Sequence, residues 1–313
     1  MNTQQPACLG HVACVIVTFN PDMSVLRAQF AALPSACSKV VVDNASTLDL
    51  FKLVETLVGK TPNANLLRNA HNDGLGAAIN AGVKFVDAAW PDIRFVLLLD
   101  QDSEPMLGSV VGLVEAFDVL RTQGEPVGCV GPTLIDANTG LQHGFHQCTR
   151  WRWKRVYPAR GSTAVVKCAN LNGSGTLVPI DLFLKLGGLD GALFIDHVDT
   201  EWSFRVMDAG YSLWGIPNAV FRHSMGESTG RFWCFGWRVW PSRSPRRHYF
   251  LFRNAVFLMR RGYVPMVWKV WAVAKLLLTV IIIILMGPAR LVQLHNMLWG
   301  AWDGCGTGDQ ARG

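Results

Sequence analysis

The sequence predicts an α/β protein with a mostly parallel, doubly wound sheet, followed by a helical segment at the C-terminus. Three short runs of apolar, often β-branched residues, at 12–17, 39–42 and 95–99, have the pattern of strands covered on both faces. Stretches with helical spacing of apolar residues separate these runs, and strands that alternate with helices in this way are typical of parallel sheets. At 313 residues, the chain has room for one large domain with an extension or for two domains.

The first third of the chain is predicted to alternate regularly between strands and helices. We expect strands at 12–17, 39–42, 64–68 and 95–99, and helices at 23–33, 48–58 and 74–88. Polar residues follow three of these strands where they end, namely Thr18, Asn20, Asp43, Asn44, Asp100 and Asp102. Because ligands of open α/β sheets bind beyond the carboxyl ends of the strands, these side chains are expected to line one crevice.

The middle of the chain is predicted to be less regular. A helix at 106–121 and a strand at 127–131 precede an irregular excursion at 140–167. Residues 171–179 are β-like, and Gly173 and Gly175 within them allow backbone to approach a ligand closely. The remaining elements are short helices at 181–186 and 199–209, the second closed by Gly210, and short strands at 212–216 and 219–222.

The composition changes near residue 227, which divides the chain into an α/β domain at 1–226 and a basic, Trp-rich region at 227–313. Between Arg222 and Arg290 we count twelve Lys or Arg residues and one acid, Glu227. Such a block binds either nucleic acid or an anionic membrane. Trp and long aliphatic residues lie within it and no aromatic-basic RNA-binding motif is present, so we expect an anionic membrane surface and no nucleic acid as the partner.

The apolar stretch at 264–286 is the predicted membrane-contacting helix. Lys269 and Lys275 interrupt it, and its uncharged part is about half of the roughly 20 residues that a membrane span requires. We therefore expect a helix that lies in the membrane plane or inserts shallowly. Residues 1–10 lack the pattern of a secretory signal, and eight widely separated cysteines fit a reducing compartment, so the polar crevice is expected to face the cytosol.

The strongest functional motif is Asp100-Gln101-Asp102, directly after an apolar strand. Two carboxylates one residue apart can hold a divalent cation such as Mg²⁺ or Mn²⁺ together with a diphosphate. His223, after the predicted strand at 219–222, is a candidate for a further ligand. Taken alone, the two acids would also fit a solvated turn, and the histidine would also fit a structural role. Their position at the end of a buried strand favours the metal site.

Two other segments carry candidate binding and catalytic residues. The first is rich in Gly and Asn, with Asn72, Gly74 and Asn80 at a helix start whose free amide groups favour an anionic ligand. This segment does not follow the first strand, as a dinucleotide-binding motif would. The alternative interpretation is an ordinary helix start capped by Asn72 or Asp73.

The second segment, 194–202, places Asp196, Asp199 and Glu201 at another helix start. The helix dipole keeps a carboxylate ionised there, so that it can accept a proton from a hydroxyl group. Capping acids on a surface helix would give the same pattern.

Taken together, these motifs resemble the family 2 glycosyltransferases of the GT-A fold, and most closely the bacterial rhamnosyltransferases of cell-surface polysaccharide synthesis. The resemblance covers nearly the whole chain. It rests on segments in the family's order at 15–20, 42–46, 72–82, 99–103, 172–175 and 194–202, with Arg253-Asn254 and residues 300–304 typical of the subgroup. It implies a catalytic domain at 1–226 and a membrane-associating region at 227–313.

The resemblance also implies roles for individual residues. The nucleotide-sugar-binding set is Thr18, Asn20, Asp43, Asn44, Asn72, Gly74, Asn80, Asp100 and Gln101. The metal ligands are Asp100, Asp102 and His223 for Mg²⁺ or Mn²⁺, with Asp102 the more direct ligand. Asp199 is the implied general base, Glu201 orients acceptor or helix, and Asp196 contacts the acceptor and is the next candidate base.

The implied reaction is a single displacement with inversion at the sugar. The implied donor is dTDP-L-rhamnose, the acceptor a lipid-linked saccharide, and the location the cytoplasmic face of the inner membrane, as a peripheral or monotopic protein. Val198 stands where family members often carry Glu, so the acceptor contact made by that Glu is not expected here.

Three alternatives share parts of this pattern. A family 2 transferase that uses another nucleotide sugar would have the same motifs. A nucleotidyltransferase would also use an acidic metal site, but the basic Gly-rich phosphate loop expected near its first strand is absent. A non-catalytic carbohydrate- or lipid-binding module would need neither the metal ligands nor the base candidates.

Overall fold

The computed structural model describes residues 9–159, 161–223, 228–233 and 237–306. Within these ranges the strands are β1 (Val12–Thr18), β2 (Ser38–Asp43), β3 (Ala64–Arg68), β4 (Phe95–Asp100), β5 (Glu104–Pro105), β6 (Val127–Asp136), β7 (Gln142–His143), β8 (Phe145–Cys148), β9 (Trp153–Val156), β10 (Val166–Cys168), β11 (Thr176–Pro179), β12 (Ser212–His223), β13 (Ser228–Trp233) and β14 (Trp237–Ser242). The helices are α1 (Met23–Ala32), α2 (Leu48–Gly59), α3 (Leu75–Ala89), α4 (Ser109–Thr122), α5 (Ile180–Lys185), α6 (Val198–Asp208), α7 (Pro245–Met259), α8 (Met266–Met286) and α9 (Arg290–Cys305).

A mixed sheet with strand order β10-β12-β6-β11-β4-β1-β2-β3 forms the centre of the molecule. β1 pairs in parallel with both β2 and β4, and β2 pairs in parallel with β3. β11 lies antiparallel between β4 and β6, and β12 is parallel to β6. β2 and β3 therefore lie on one side of β1 and β4 lies on the other, so the sheet has a topological switch point between β1 and β4. The predicted α/β fold with a mostly parallel, doubly wound sheet is confirmed.

Both faces of the sheet are buried, which explains the continuous apolar runs. Along β1, alternate residues enter two separate cores. Val15 packs with α3, α5 and α6 on one face, whereas Ile16 packs with α1, α2 and α4 on the other. A strand covered in this way cannot show polar alternation, because every second side chain has no route to solvent.

Several predicted elements differ from the structure after residue 100. The helix predicted from 106 begins at Ser109, and β6 extends to Asp136. The excursion at 140–167 is not irregular, because it contains β7, β8, β9 and part of β10. β8 and β9 form a two-stranded sheet outside the central one, so they lack the apolar period of a core strand. The strands predicted at 212–216 and 219–222 are one strand, β12, with a register shift between Ile216 and Val220 around Pro217, which has no amide proton for the ladder.

The C-terminal helices pack on each other and on the sheet domain. α7 and α9 approach closely because glycines of α9 face α7: a Cβ at Gly300 would lie 2.2 Å from the Tyr249 carbonyl oxygen, and one at Gly304 would lie 2.6 Å from that of Arg253. The predicted boundary near residue 227 falls within 224–227, outside the described residues. The helix predicted at 264–286 is present as α8 and, among the described residues, it alone is long and apolar enough to cross a membrane, with a mean hydropathy of 2.3.

Candidate active site

Two acids and a histidine meet where β4 and β12 end. One ligand atom each from Asp100, Asp102 and His223 lies within 4.8 Å of the other two, and His223 Nδ1 is 3.1 Å from Asp102 Oδ1. Burial alone lowers the pKa of His223, but the hydrogen bond and charge of Asp102, aided by Asp100 and Asp136, raise it overall. Such a set of carboxylate oxygens and one imidazole suits a cation such as Mn²⁺, so the three predicted ligands fit the implied metal.

Backbone and side-chain contacts from three other elements hold the acidic turn. Buried Gln29 of α1 donates from Nε2 to the carbonyl oxygens of Asp100, at 2.7 Å, and Ser103, at 2.9 Å. The Phe19 amide donates to Gln101 Oε1 at 2.8 Å, and Ser174 Oγ donates to Asp100 Oδ2. Sequence reasoning missed Gln29 and Ser174. The available signal for Gln29 was its place on the apolar stripe of α1, between Leu26 and Phe30.

The polar residues after β1 and β2 form an internal network. Thr18 and Asp43 are fully buried; Thr18 Oγ1 donates to Asp43 Oδ2 at 3.1 Å, and Ser46 donates to the same carboxylate from its hydroxyl and its amide. Asn20, exposed and in a left-handed conformation, accepts from the Thr47 amide at 2.9 Å. Thr18 and Asp43 have no exposed surface, and their hydrogen bonds fix the turn that follows β2.

That turn borders a cavity of about 420 Å³, which is lined by Ala45, Ser46, Arg68, Asn69 and Ala70. Buried Asn44 connects it to the start of α3: its Nδ2 donates to Asn72 Oδ1 at 2.8 Å, and its Oδ1 accepts from Asn69 and from the Asp73 amide. Asn44 thus orders the loop in front of α3.

The residues at the start of α3 play structural roles. Gly74, at φ +88°, is the N-cap, and neither Asn72 nor Asp73 occupies that position. A Cβ on Gly74 would lie 2.6 Å from Phe194 Cα, so only glycine fits there. The side chain of Asn80 exchanges two hydrogen bonds of 2.8 Å with the backbone of Leu189, which link α3 to the loop before α6.

Asp199 lies in the first turn of α6 and is connected to the acidic turn by one loop. Its carboxylate accepts from the Thr200 amide at 2.8 Å and from the Gly173 backbone, while the adjacent Ser174 contacts Asp100. Burial is the main cause that raises the pKa of Asp199 to about 6, and the charges of Asp100 and Asp196 add to it. The loop at 172–175 therefore brings the candidate base and the candidate metal ligands to one cleft.

The turn before α6 has a strained backbone. Phe194, Asp196 and His197 have φ values of 61°, 59° and 62°, which side-chain-bearing residues rarely adopt. Buried Asn254 of α7 donates from Nδ2 to three carbonyl oxygens of this turn, those of Leu193, Ile195 and Asp196, at 2.7–2.9 Å. The Asp196 carboxylate lies 3.2 Å from Arg247 Nε. α7 therefore stabilises the turn that precedes Asp199.

Glu201 is fully buried and belongs to an ion-pair network. Arg205 donates to both of its oxygens, at 2.9 and 2.8 Å, and Arg261 and Tyr263 donate to Oε1 at 3.0 and 2.6 Å. Arg261 also pairs with Asp190. Of the two roles predicted for Glu201, orientation of the acceptor or of the helix, its burial and its ion pairs with Arg205 and Arg261 fit the orientation of α6.

Replacing Glu201 with Gln is expected to lower the free energy of unfolding by about 3 kcal/mol or more, because the partly buried guanidinium groups of Arg205 and Arg261 lose their counter-charge. Urea unfolding measures the loss. Glu55→Gln, at an exposed position of α2, is the matched control and should stay within about 0.5 kcal/mol of the parent. Equal stability of the two variants would contradict a stabilising network.

Comparison with known proteins identifies the class of this site. The family model described as "Glycosyl transferase family 2" matches residues 15–162, which include the strand ends, the loop before α3 and the acidic turn. The chain is a glycosyltransferase whose residues 15–162 match family 2.

Two relatives and one solved structure extend this result. The glycosyltransferase is 27% identical over 299 residues to the dTDP-rhamnosyl transferase RfbF of Shigella flexneri, covering 94% of this chain and 95% of that one. It is 25% identical over 244 residues to the N-acetylglucosaminyl-diphospho-decaprenol L-rhamnosyltransferase of Mycobacterium tuberculosis, covering 69% and 77% of the two chains. A mannosyltransferase from Pyrobaculum calidifontis in complex with GDP-Man and Mn²⁺ shares the fold, with a TM-score of 0.52, 16% identity and coverage of 94% and 72%.

Proposed function

We propose that this glycosyltransferase moves L-rhamnose from dTDP-L-rhamnose to a lipid-linked saccharide, with inversion, in the synthesis of a bacterial surface polysaccharide. The observation that carries the proposal is the loop at 172–175, whose Gly173 and Ser174 join Asp199 to Asp100. A carboxylate that accepts a proton thus stands beside carboxylates suited to a diphosphate-bound cation. The names of both relatives specify rhamnosyl transfer, which supports the choice of donor sugar.

Asp199 acts as the general base in this proposal. It lies at the N-terminus of α6, where the dipole favours its ionised form, and two backbone hydrogen bonds hold the carboxylate in place. An acceptor hydroxyl that hydrogen-bonds to it loses its proton to Asp199 while its oxygen attacks the anomeric carbon. The bond to the nucleoside diphosphate breaks in the same step, so no covalent enzyme intermediate forms.

Asp100, Asp102 and His223 would hold Mg²⁺ or Mn²⁺, with Asp102 and His223 already in contact at 3.1 Å. A bound cation of this kind neutralises the charge of a leaving diphosphate. The protein contributes the rigidity of the site: Gln29 fixes the backbone of the acidic turn and Ser174 fixes the Asp100 carboxylate.

The nucleoside is proposed to occupy the cavity beside Ser46, Arg68 and Asn69. Buried Thr18, Asp43 and Asn44 shape its wall, while exposed Asn20 and the partly exposed Asn72 and Gln101 remain free to contact the donor at its edge. Because these contacts involve the base and the diphosphate, they do not by themselves select the sugar. A family 2 transferase that uses another nucleotide sugar is therefore the second candidate.

Release of free sugar from a panel of nucleotide sugars with Mn²⁺ tests the donor. We expect dTDP-L-rhamnose to be hydrolysed fastest in the absence of acceptor. Preference for another nucleotide sugar would replace the donor in the proposal, and release of diphosphate from a nucleoside triphosphate would indicate a nucleotidyltransferase.

We further propose that the protein works at the cytoplasmic face of the inner membrane, with residues 227–313 as the membrane-associating region. α8 supports this location, because only 17% of its most apolar window is buried. The interrupting Lys269 and Lys275 favour a shallow or in-plane position over a span. The full chain is expected to co-sediment with vesicles of anionic lipid, and a full chain that stays in the supernatant would contradict this location.

A further inference from the structure

Three cationic side chains from separate elements interact through their charges, and one of them, Lys275, also interacts with Asp196 and Asp199. They are Arg155 of β9, Arg243 just before α7, and Lys275 of α8, and the charge of Lys275 acts on the other two and on both carboxylates. Among the described residues, no carboxylate lies within 4.0 Å of any of the three. The region around Lys275 therefore carries an excess of positive charge.

Lys275 belongs to the face of α8 that packs on the protein. Trp268, Ala272 and Thr279, at helical spacing from Lys275, are buried, whereas the opposite face exposes Val273, Leu277 and Ile284. Lys275 Nζ lies 4.8 Å from the ring centroid of Trp271, and Trp271 packs on Trp153 of β9 at 6.1 Å. The lysine thus points toward the cleft and away from the apolar surface of its own helix.

Arg155 is held in place by a ring stack of the β8–β9 hairpin. Its Nε donates to His146 Nε2 at 2.9 Å, and His146 stacks on Trp153 with centroids 5.3 Å apart. Burial, followed by the charge of Arg155, lowers the pKa of His143 to about 4 and that of His146 to about 3. Both histidines are therefore neutral at pH 7, and the positive charge here resides on the arginines and the lysine.

We propose that Arg155, Arg243 and Lys275 bind the diphosphate of the lipid-linked acceptor. This inference rests on the proposed function and deepens it. Lys275 lies on the helix whose opposite face is the apolar surface proposed to meet the lipid, and its charge interacts with that of Asp199. An anion bound by Lys275 is therefore near both the proposed base, which accepts the proton of the acceptor hydroxyl, and the proposed lipid-facing surface. The donor diphosphate has its own place at Asp100, Asp102 and His223. Because the charges of Lys275 and Asp199 interact, the attacked hydroxyl belongs to a sugar close to the diphosphate.

The test compares two acceptors that carry the same saccharide. One is joined to a short alkyl chain through a diphosphate and the other is a neutral alkyl glycoside. In Lys275→Gln and in Arg155→Gln, the kcat/KM for the diphosphate acceptor relative to the neutral one is expected to fall roughly 10- to 100-fold, the worth of one charge-assisted hydrogen bond. Lys154→Gln, an exposed cation next to Arg155 that points to the other side of the hairpin, should leave this ratio unchanged.

The outcomes separate the site from the function. An unchanged ratio in both variants, with transfer intact, overturns the diphosphate site and leaves the glycosyltransfer proposal standing. A rise in the KM for the donor that is equal with both acceptors would assign the cations to the donor and also overturn the site. Failure of the parent enzyme to transfer sugar to either acceptor would instead overturn the proposed acceptor class. Variants on two separate elements guard against a fold defect in one of them.

Discussion

Asp199→Asn is expected to lower the turnover number by about 10²- to 10⁴-fold while the donor still binds, because the variant keeps the shape of the side chain but cannot accept a proton. Steady-state transfer with a saturating lipid-linked acceptor gives the turnover number, and calorimetric titration with the nucleotide sugar and Mn²⁺ gives the affinity. Asp208→Asn, the same substitution at the exposed C-terminal end of α6, is the matched control and should retain full turnover.

The pH dependence of the parent enzyme provides an independent check on this base. Asp199 must be ionised to act, and burial raises its pKa to about 6, so the turnover number is expected to fall as the pH falls through about 6. Full turnover in Asp199→Asn would reject Asp199 as the base. If Asp196→Asn then lost turnover, the role would pass to Asp196, which lies beside Arg247.

Asp102→Asn is expected to raise the Mn²⁺ concentration for half-maximal activity by about 10-fold or more and to lower the maximal rate by about 10²-fold or more. The substitution removes a charged oxygen ligand from the set that includes Asp100 and His223, and the charge neutralisation supplied by such a cation is worth several kcal/mol. Chelation with EDTA should abolish transfer by the parent enzyme, and re-addition of Mn²⁺ or Mg²⁺ should restore it.

Asp92→Asn, at an exposed position before β4, serves as the matched control for this substitution and should respond to Mn²⁺ like the parent. If Asp102→Asn shows the same Mn²⁺ dependence as the parent, the acidic turn does not bind the cation, and the proposal for this cleft loses its basis.

The convergence of the predicted metal ligands could be foreseen because it follows from topology. Parallel strands that alternate with helices bring their carboxyl ends to one edge, so Asp100 and His223 could be placed together although 123 positions separate them. The contacts that position these groups depend on the antiparallel β11 and on the loop before it. The sequence predicted β-like residues at 171–179 but not the antiparallel pairing of β11 with β4, so the contact of Ser174 with Asp100 was missed.

Burial of polar residues was the main feature that the sequence did not reveal. An acid in the first turn of a helix gives the same sequence pattern whether its side chain is exposed to solvent or paired with arginine. The partners that bury Glu201 include Arg261 and Tyr263, which lie about 60 positions away in the sequence. The same holds for Thr18 and Asp43, whose position at strand ends predicted ligand contacts but whose side chains satisfy each other. For Thr18, Asp43 and Glu201, a position at the end of a strand or the start of a helix did not reveal that the side chain is buried.

The hydrogen bonds of Asn254 make the geometry of the reaction centre dependent on the C-terminal helices. The left-handed backbone at Phe194, Asp196 and His197 is costly, and the amide of a residue about 60 positions downstream stabilises it. A chain truncated at residue 227 to gain solubility would therefore lose the hydrogen bonds that stabilise the turn before Asp199. The packing of α7 and the position of Asp199 are therefore coupled, and a variant in which α7 loses its contacts with this turn is expected to lose sugar transfer as well.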